Sequence, residues 1–148
     1  MKFIEIDIDI IPMGAVRVNA KGKQTPRAVA YHHWMDSFRW LWAQACIKAG
    51  IPGNSVLPGK IYSMEFGLPI PYPTIGTKKV IAEKLARIGQ EHLKKPDIDN
   101  IYKAVVDSIF YKKIGKNDSA IWNITNGLSK VYTPFGSGYV RIKFYYND

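Results

Sequence analysis

Apolar and polar residues alternate over the first ten positions of the chain, and this period is typical of a strand with one buried face. The apolar positions are Ile4, Ile6, Ile8 and Ile10, and the acids between them are Glu5, Asp7 and Asp9. A secretory signal peptide would instead need an unbroken apolar stretch. Residues 1–10 are therefore predicted to form a strand and to carry no export signal.

Helical and strand periods continue further along the chain. From about Tyr31 to Ala49, large apolar residues recur at helical spacing, which predicts an amphipathic helix packed on the core. Residues 62–70 alternate as a second strand. Residues 77–88 follow a shorter helical pattern that carries lysines and an arginine, so the polar side of that helix is expected to be positive.

A third helix is predicted to begin near Asp97 or Asp99, because a proline and an aspartate suit a helix start and the helix dipole favours negative charge there. Its predicted buried face consists of Ile98, Ile101, Tyr102, Val105 and Ile109. Two closing strands are expected at about residues 119–125 and 139–146, with Asp118 at the start of the first. The inward positions of the last strand are predicted to be Val140, Ile142, Phe144 and Tyr146.

Length and composition limit the class of protein. With 148 residues and 47% hydrophobic content, the chain can bury one sizeable core, so a single domain over residues 1–148 is expected. Cys46 is the single cysteine, which excludes an internal disulfide and a cysteine-based zinc cluster and fits a reducing, cytoplasmic compartment. No apolar run approaches the ~20 residues that span a bilayer, so no membrane partner is expected.

The acids are concentrated locally, although the formal net charge of the chain is +9. Asp97, Asp99 and Asp107 lie close together in sequence, and Asp118 follows after a short gap. Carboxylates held close together repel each other unless a cation lies between them, and Mg²⁺ prefers such oxygen ligands. Metal-binding acids within a positive surface suit an enzyme that cuts a polyanion, so the sequence predicts a nuclease.

The spacing of these acids predicts how they are arranged. Asp99, Lys103 and Asp107 follow one another at i, i+4 and i+8, so they are expected to form one stripe beside the buried helix face. If the backbone is still extended before the helix, the side chains of Asp97 and Asp99 project to the same side. Their carboxylates can then converge.

Each of these residues also has an ordinary structural interpretation. Asp97 and Asp99 could be no more than a helix cap and a first-turn acid. Lys103 could make exposed ion pairs worth only ~0.3–0.5 kcal/mol each, and Asp118 could be a turn residue. The histidines expected to be polar surface residues are His32, His33 and His92. The aromatic residues expected to lie in the core, and not to stack on bases, are Trp34, Phe38 and Trp42.

A basic segment precedes the first helix. Residues 11–26 contain proline and glycine without apolar periodicity, which predicts a long loop. Its cations are Arg17, Lys21 and Lys23, and Arg27 follows just beyond it. Such a loop is either a solvated segment or a surface for phosphate groups.

The order of these elements resembles the RusA family of Holliday junction resolvases, which are small, dimeric, metal-dependent endonucleases. The resemblance covers nearly the whole chain. It rests on Lys95-Pro96-Asp97-Ile98-Asp99-Asn100 leading into Lys103 and Asp107, on Asn117-Asp118-Ser119-Ala120-Ile121, and on the N-terminal strand with its basic loop. One departure concerns Asn117, because many members of the family carry two adjacent acids where this chain has Asn117 followed by Asp118.

The resemblance also implies roles for individual residues. The essential acids would be Asp97, Asp99 and Asp118, which would bind one or two Mg²⁺ or Mn²⁺ ions. The essential lysine would be Lys103, oriented by Asp107, and Asn100 would support a metal ligand from behind. The residues expected to contact DNA phosphates are Arg17, Lys21, Lys23, Arg27 and Lys95. No small-molecule cofactor is expected.

The fold that the resemblance implies is α+β, a mixed sheet with helices packed mainly on one face. The implied substrate is a four-way DNA junction, which is resolved by two nicks in strands related by a two-fold axis. A homodimer is expected, because a C₂ dimer presents two equivalent sites. Two alternatives remain open: a nuclease of other branched DNA, such as flaps or forks, and a non-catalytic junction-binding accessory protein.

Overall fold

The computed structural model describes residues 1–16, 25–71 and 78–147. The helices in these residues are α1 (Pro26–Lys48), α2 (Lys78–Leu85) and α3 (Ile98–Phe110). The strands are β1 (Lys2–Ile8), β2 (Lys60–Pro69), β3 (Asn123–Ile124), β4 (Leu128–Thr133) and β5 (Tyr139–Tyr146). A 3-10 helix (Asp118–Ala120) precedes β3.

The strands form one mixed sheet in the order β1, β5, β2, with β3 and β4 both paired with β2. Strand β5 runs antiparallel to both β1 and β2, so it lies between them. Strands β3 and β4 run parallel to β2. Because parallel neighbours need a crossover connection, the chain between β2 and β4 leaves the sheet and returns, and this crossover contains α2, α3 and the 3-10 helix.

Helices α1 and α3 pack against each other and against one face of the sheet. That face is apolar because alternate strand residues point into it. The buried strand residues include Ile4, Ile6, Ile8, Met64, Phe66, Leu68, Val140, Ile142 and Phe144. The helices add Phe38, Trp42, Ile101, Val105 and Ile109 to the same core, and Trp34 is partly buried against it. The predicted α+β fold is confirmed.

Helix α1 begins at Pro26, earlier than the predicted start near Tyr31. Thr25 occupies the N-cap position, and its hydroxyl oxygen accepts a hydrogen bond from the Ala28 backbone N–H. Pro26 suits the first turn because its missing N–H would have no partner within the helix. Arg27, predicted just beyond the basic loop, therefore lies in the first turn of α1.

Strand β2 departs from simple alternation at a bulge between Ile61 and Ser63. A bulge shifts the residues before it relative to those after it. Ile61 is consequently buried, whereas Tyr62 is exposed, although strict alternation placed Tyr62 on the same side as Met64. The bulge therefore moves an aromatic ring from the core to the surface.

The strand predicted over residues 119–125 is present only in part. The 3-10 helix occupies its beginning, and β3 contains just Asn123 and Ile124. The Asn117 side-chain oxygen accepts a hydrogen bond from the Ser119 backbone N–H, which favours the tight turn. Sequence analysis missed β4 altogether, although Gly127 with its positive φ marks the turn before it.

Helix α2 contributes no buried residue to the core. Leu85 and Ile88, two apolar positions of the helical pattern over residues 77–88, are 45% and 40% exposed. The positive helix is therefore a surface element of the crossover. Within the described parts of the chain, no helix has the length and apolar character needed to cross a membrane.

Candidate active site

The segment after β1 runs beside the N-terminus of α3. The Ala15 backbone N–H donates a hydrogen bond of 3.0 Å to the Asn100 carbonyl oxygen. Gly14 lies so close to Pro96 that a Cβ at Gly14 would stand 3.0 Å from the Pro96 Cβ. This packing continues to Val16, the last residue described before position 17, which packs against the buried cluster of Tyr31, Met35 and Ala104.

Lys130 holds the backbone in front of α3. Its Nζ donates hydrogen bonds to the carbonyl oxygens of Lys94, at 2.7 Å, and Pro96, at 2.9 Å. Lys130 belongs to β4, so the sheet itself fixes the segment that enters the helix. Asp97 follows Pro96 directly and takes its position from this contact.

Asp97 occupies the N-cap position of α3, but its side chain makes no capping hydrogen bond. A capping aspartate would accept a hydrogen bond from a backbone N–H in the first turn. The interpretation of Asp97 as an ordinary cap therefore loses its support. Asp99 lies exposed in the first turn. This position suits both a first-turn acid and a metal ligand.

A cleft of about 420 Å³ opens at this corner of the molecule. Its lining includes Met13, Gly14, Ala15, Arg27, Lys95, Asp97 and Asn100. Arg27 comes from α1 and Lys95 from the segment before α3, so two separate elements bring cations to the cleft that Asp97 lines. The structure thus places two of the predicted phosphate contacts beside a predicted metal ligand.

A second group of charges lies further along α3. The Lys103 Nζ is 3.7 Å from the Asp107 Oδ2 on the flank of the helix. Burial raises the pKa of Asp107, the Lys103 ammonium opposes that shift, and the Asp118 carboxylate adds to it. Burial, followed by the Asp118 carboxylate, also raises the pKa of Tyr102. The 3-10 helix therefore carries Asp118 close to the middle of α3.

The acids consequently occupy two places along α3. Asp97 and Asp99 lie at its start, and the backbone of Asp107 lies about 15 Å further along at 1.5 Å per residue. Within the residues that the structure describes, no three His, Cys, Asp or Glu side chains lie close enough together to form a metal site in this arrangement. The convergence of Asp97, Asp99 and Asp118 on one ion therefore stays a prediction.

The chemistry of the donors fits a hard divalent cation. All the acids offer carboxylate oxygens, the ligands that Mg²⁺ and Mn²⁺ prefer. Burial raises the pKa of Asp107, and the Asp118 carboxylate adds to that shift, which means that the two carboxylates repel each other. A cation placed near them would relieve this repulsion.

Two predicted phosphate contacts can be located, and three cannot. Arg27 and Lys95 line the cleft beside Asp97. Arg17, Lys21 and Lys23 lie outside the described residues. Their role as DNA contacts stays a prediction.

The prediction that His92 is a polar surface residue is wrong. His92 is only 7% exposed, and its ring packs against Tyr132 with the two ring centroids 4.5 Å apart. Its backbone N–H donates to the Lys130 carbonyl oxygen at 3.0 Å. Burial and the Lys130 ammonium both lower the pKa of His92, so the neutral ring is favoured at this position.

Sequence reasoning missed two residues near the acids. Lys130 was not found because β4, which carries it, was not predicted. Tyr31 is buried on α1, where burial and the Asp107 carboxylate raise its pKa to about 12. The helical period around Tyr31 indicated a core helix, but nothing in the sequence indicated which acid that helix approaches.

The sequence matches a known protein family over nearly its whole length, including the segments that carry these residues. The model of the endodeoxyribonuclease RusA family matches residues 7–143. The chain belongs to the RusA family. The matched range contains the basic loop, all of α3 and the 3-10 helix, so the resemblance inferred from the motifs is confirmed. No curated protein matches the chain. Membership of the RusA family implies endonucleolytic cleavage of DNA, and RusA nucleases generally depend on a divalent metal.

Proposed function

We propose that this RusA-family protein is a Mg²⁺- or Mn²⁺-dependent endonuclease that resolves four-way DNA junctions by paired, symmetric nicks. The observation that carries the proposal is the set of carboxylates on α3 and the 3-10 helix, accompanied by Lys103, Arg27 and Lys95. The family match supports the nuclease activity. The net charge of +9 supports a polyanionic substrate.

The acids are proposed to hold the metal. Asp97, Asp99 and Asp118 would be the ligands, and Mg²⁺ or Mn²⁺ bound there would supply a hydroxide near neutral pH and offset the charge on the reacting phosphate. Lys130 supports this role because it fixes the backbone next to Asp97. Asn100 lines the same cleft and is proposed to support Asp97 from behind.

Lys103 is proposed to act on the reacting phosphate. Its side chain is 60% exposed, and its Nζ lies 3.7 Å from the Asp107 Oδ2. That separation is longer than a direct hydrogen bond, so Asp107 orients the ammonium while leaving its N–H groups for a substrate. A compact ammonium suits donation to a non-bridging phosphate oxygen in the transition state.

The cations around the cleft are proposed to hold the DNA. Arg27 and Lys95 would contact phosphates, which fixes the position of a duplex without reading its sequence. Arg17, Lys21 and Lys23 would extend the same surface along the basic loop. These contacts would bring a strand to Asp97 while leaving the choice of strand to the shape of the junction.

A homodimer is proposed because junction resolution needs two cuts. The two strands to be nicked are related by a two-fold axis, and a C₂ dimer presents two sites with the same symmetry. Each copy would then cut one strand. This assembly distinguishes a junction resolvase from a nuclease that makes a single nick.

The test is cleavage of a synthetic four-way junction beside a linear duplex and a flap, with Mg²⁺, Mn²⁺, Ca²⁺ or chelator. We expect symmetric nicks in the junction with Mg²⁺ or Mn²⁺, and little cleavage with Ca²⁺. Cutting of flaps with the junction left intact would instead establish a nuclease of other branched DNA.

Thermal unfolding separates the remaining alternative. A cation that binds the folded protein raises its Tm, so we expect Mg²⁺ and Mn²⁺ to raise it. Junction binding without cleavage in any ion, together with a Tm that no ion changes, would favour a non-catalytic accessory protein.

A further inference from the structure

The face of the sheet away from α1 and α3 carries a group of exposed aromatic rings. Trp122 is 73% exposed, Tyr145 49%, Phe3 47% and Tyr62 37%. Phe3 meets Tyr62 edge to face at a centroid distance of 5.6 Å and Tyr145 at 5.1 Å. Phe3 therefore holds the rings of Tyr62 and Tyr145 in place, although all three rings remain open to solvent.

Trp122 is fixed by its backbone as well as by its surroundings. The Trp122 backbone N–H donates a hydrogen bond of 2.8 Å to the Gly59 carbonyl oxygen. Its indole lies against Gly59, where an added Cβ would stand 3.0 Å from the Trp122 Cδ1. Gly59 therefore covers one part of the indole, and the rest of the ring stays available to a ligand.

Three of these aromatic residues, Tyr62, Trp122 and Tyr145, line a cleft of about 600 Å³. Its polar and aromatic lining includes Lys60, Tyr62, Trp122, Thr125, Tyr145 and Asn147. Flat apolar rings combined with hydroxyl and amide groups match a nucleobase, which has two π faces and a polar edge. An apolar partner bound in this cleft would form no hydrogen bonds with those hydroxyl and amide groups.

The charge around this cleft favours a nucleic acid. Lys60 lines it, and none of the described residues that line it is acidic. An adjoining cleft shares Tyr145 and Asn147, adds Lys116 and likewise has no acid among its described residues. Asp148 follows Asn147 but lies outside the described residues. Phosphates on either side of a bound base would thus meet lysines.

The cleft is also within reach of the proposed site. Trp122 follows Asp118 by four residues, so their Cα atoms are at most about 14 Å apart. The 3-10 helix and Ile121, which packs on the core, fill this interval. A DNA strand whose phosphate approaches Asp118 would therefore have neighbouring nucleotides close to Trp122.

We propose that the cleft formed by Trp122, Tyr62 and Tyr145 binds an unstacked nucleobase of the DNA substrate. The proposal rests on the DNA-binding part of the proposed function and not on its cleavage step. An unpaired base at the centre of a branched substrate can stack on an aromatic side chain more easily than a base within a duplex, because the duplex must first be opened. The cleft would therefore favour branched or opened DNA over a continuous helix.

The experiment measures binding without cutting. A short oligothymidylate and an abasic oligonucleotide of equal length are titrated in chelator against the wild type, Trp122→Ala and Trp40→Ala. Trp40 is a matched control because it is 64% exposed on α1 and does not line the cleft. We expect the wild type to prefer the oligothymidylate. Trp122→Ala should weaken that binding by about 5-fold to 150-fold, as for the loss of one stacked base.

The abasic oligonucleotide and the Trp40→Ala variant serve as controls. Abasic binding should be the same for all three proteins, and Trp40→Ala should match the wild type on both oligonucleotides. Tyr145→Leu provides a second variant that keeps apolar bulk and should also lower the preference for bases. Equal binding of both oligonucleotides by the wild type, or an unchanged preference in Trp122→Ala and Tyr145→Leu, would overturn the proposal.

Oligomeric state tests the competing occupant, a second copy of the chain. If Trp122→Ala converts a dimer into a monomer by sedimentation and weakens binding to both oligonucleotides equally, the cleft is a subunit interface and the proposal fails. Success and failure here are separate from cleavage. If the protein cuts junctions but does not prefer DNA that carries bases, only this inference fails. If it prefers DNA that carries bases but does not cut, only the proposed nuclease activity fails.

Discussion

The acid-bearing flank of α3 and the aromatic cleft differ in almost every chemical respect. The flank carries Asp99, Lys103 and Asp107, with Asp118 close by. The cleft carries aromatic rings and a lysine, with no acid among its described residues. A single short segment, from Asp118 to Trp122, connects the two regions. The groups proposed to take part in hydrolysis are therefore separate from the groups proposed only to bind.

This separation makes the two regions respond to different conditions. Charge interactions with phosphate weaken as salt is added, because counterions are released on binding. Stacking of a base on a ring carries no such dependence on charge. Substitutions in one region should therefore leave the properties of the other unchanged, and the predictions below measure how far that holds.

The largest effect is expected at the acids. Asp97→Asn, Asp99→Asn and Asp118→Asn should each lower the single-turnover rate of junction cleavage by about 10³-fold or more, because an amide keeps the shape of the side chain but removes an anionic ligand worth several kcal/mol. Junction affinity should stay equal or increase, since a negative charge near phosphate is lost. Asp36→Asn, an exposed residue of α1, is the control and should cut normally. Full activity of any one site variant in saturating Mg²⁺ would remove that residue from the site.

Lys103 should affect the rate, whereas Arg27 and Lys95 should affect affinity. Lys103→Ala is expected to lower the saturated single-turnover rate by about 10²-fold, since a contact made in the transition state appears in the rate. Arg27→Ala and Lys95→Ala should weaken binding to every DNA and reduce the magnitude of the salt slope by about one unit each. If Lys103→Ala loses affinity at an unchanged saturated rate, Lys103 is one more phosphate contact.

Lys130 should affect cleavage only by positioning the backbone before Asp97. Lys130→Met removes two hydrogen bonds to backbone carbonyl oxygens before Asp97, so the cleavage rate should fall by about 10-fold to 100-fold. The Mg²⁺ concentration for half-maximal rate should rise, while junction affinity stays the same. Lys130→Arg keeps the donors and should recover much of the rate. A loss of stability in Lys130→Met with an unchanged Mg²⁺ midpoint would mean that Lys130 supports the fold only.

The smallest effect is a pH dependence of stability at His92. Burial and Lys130 lower the pKa of His92 in the folded protein, so the unfolded state binds a proton more readily. The free energy of unfolding should therefore be unaffected by this group above about pH 6.5 and fall as the pH drops below it, by at most about 1.4 kcal/mol per pH unit.

Chemical unfolding of His92→Asn and His33→Asn between pH 7 and pH 5 checks this prediction. His33 is exposed and serves as the matched control. The curve for His92→Asn should be flatter than that of the wild type and flatter than that of His33→Asn. Identical slopes for all three proteins would show that His92 does not titrate differently on unfolding.

The elements with a strong period were predictable from sequence. Strand β1 and strand β5 alternate cleanly because one face of each is buried by the helices. Strand β4 was missed because it mixes half-buried and buried residues, Lys130 among them, and so has no clean period. The bulge at Ile61 was likewise invisible, because it depends on pairing with β5. Tertiary pairing decided both features.

The candidate site was predictable as a set of residues and not as a geometry. Local spacing predicted that Asp99, Lys103 and Asp107 share one flank of a helix, and the ion pair of Lys103 with Asp107 agrees with that prediction for these two residues. The approach of Asp118 to α3 depends on how the crossover folds, and no local pattern encodes it. The same reason hid Lys130, whose partners lie 34 and 36 residues earlier in the chain.

The place of β5 in the sheet has a consequence for the synthesis of the protein. Strand β5 is the last strand in sequence, yet it lies between β1 and β2, and β1 pairs with no other strand among those described. A chain still on the ribosome therefore cannot complete the sheet until residues 139–146 have emerged, many seconds after β1 at about 5–20 residues per second. Any fragment that stops before β5 lacks the central strand on which β1 and β2 meet. An unfinished chain therefore lacks the complete sheet on which α1 and α3 pack, and with it the scaffold that positions the acids of α3.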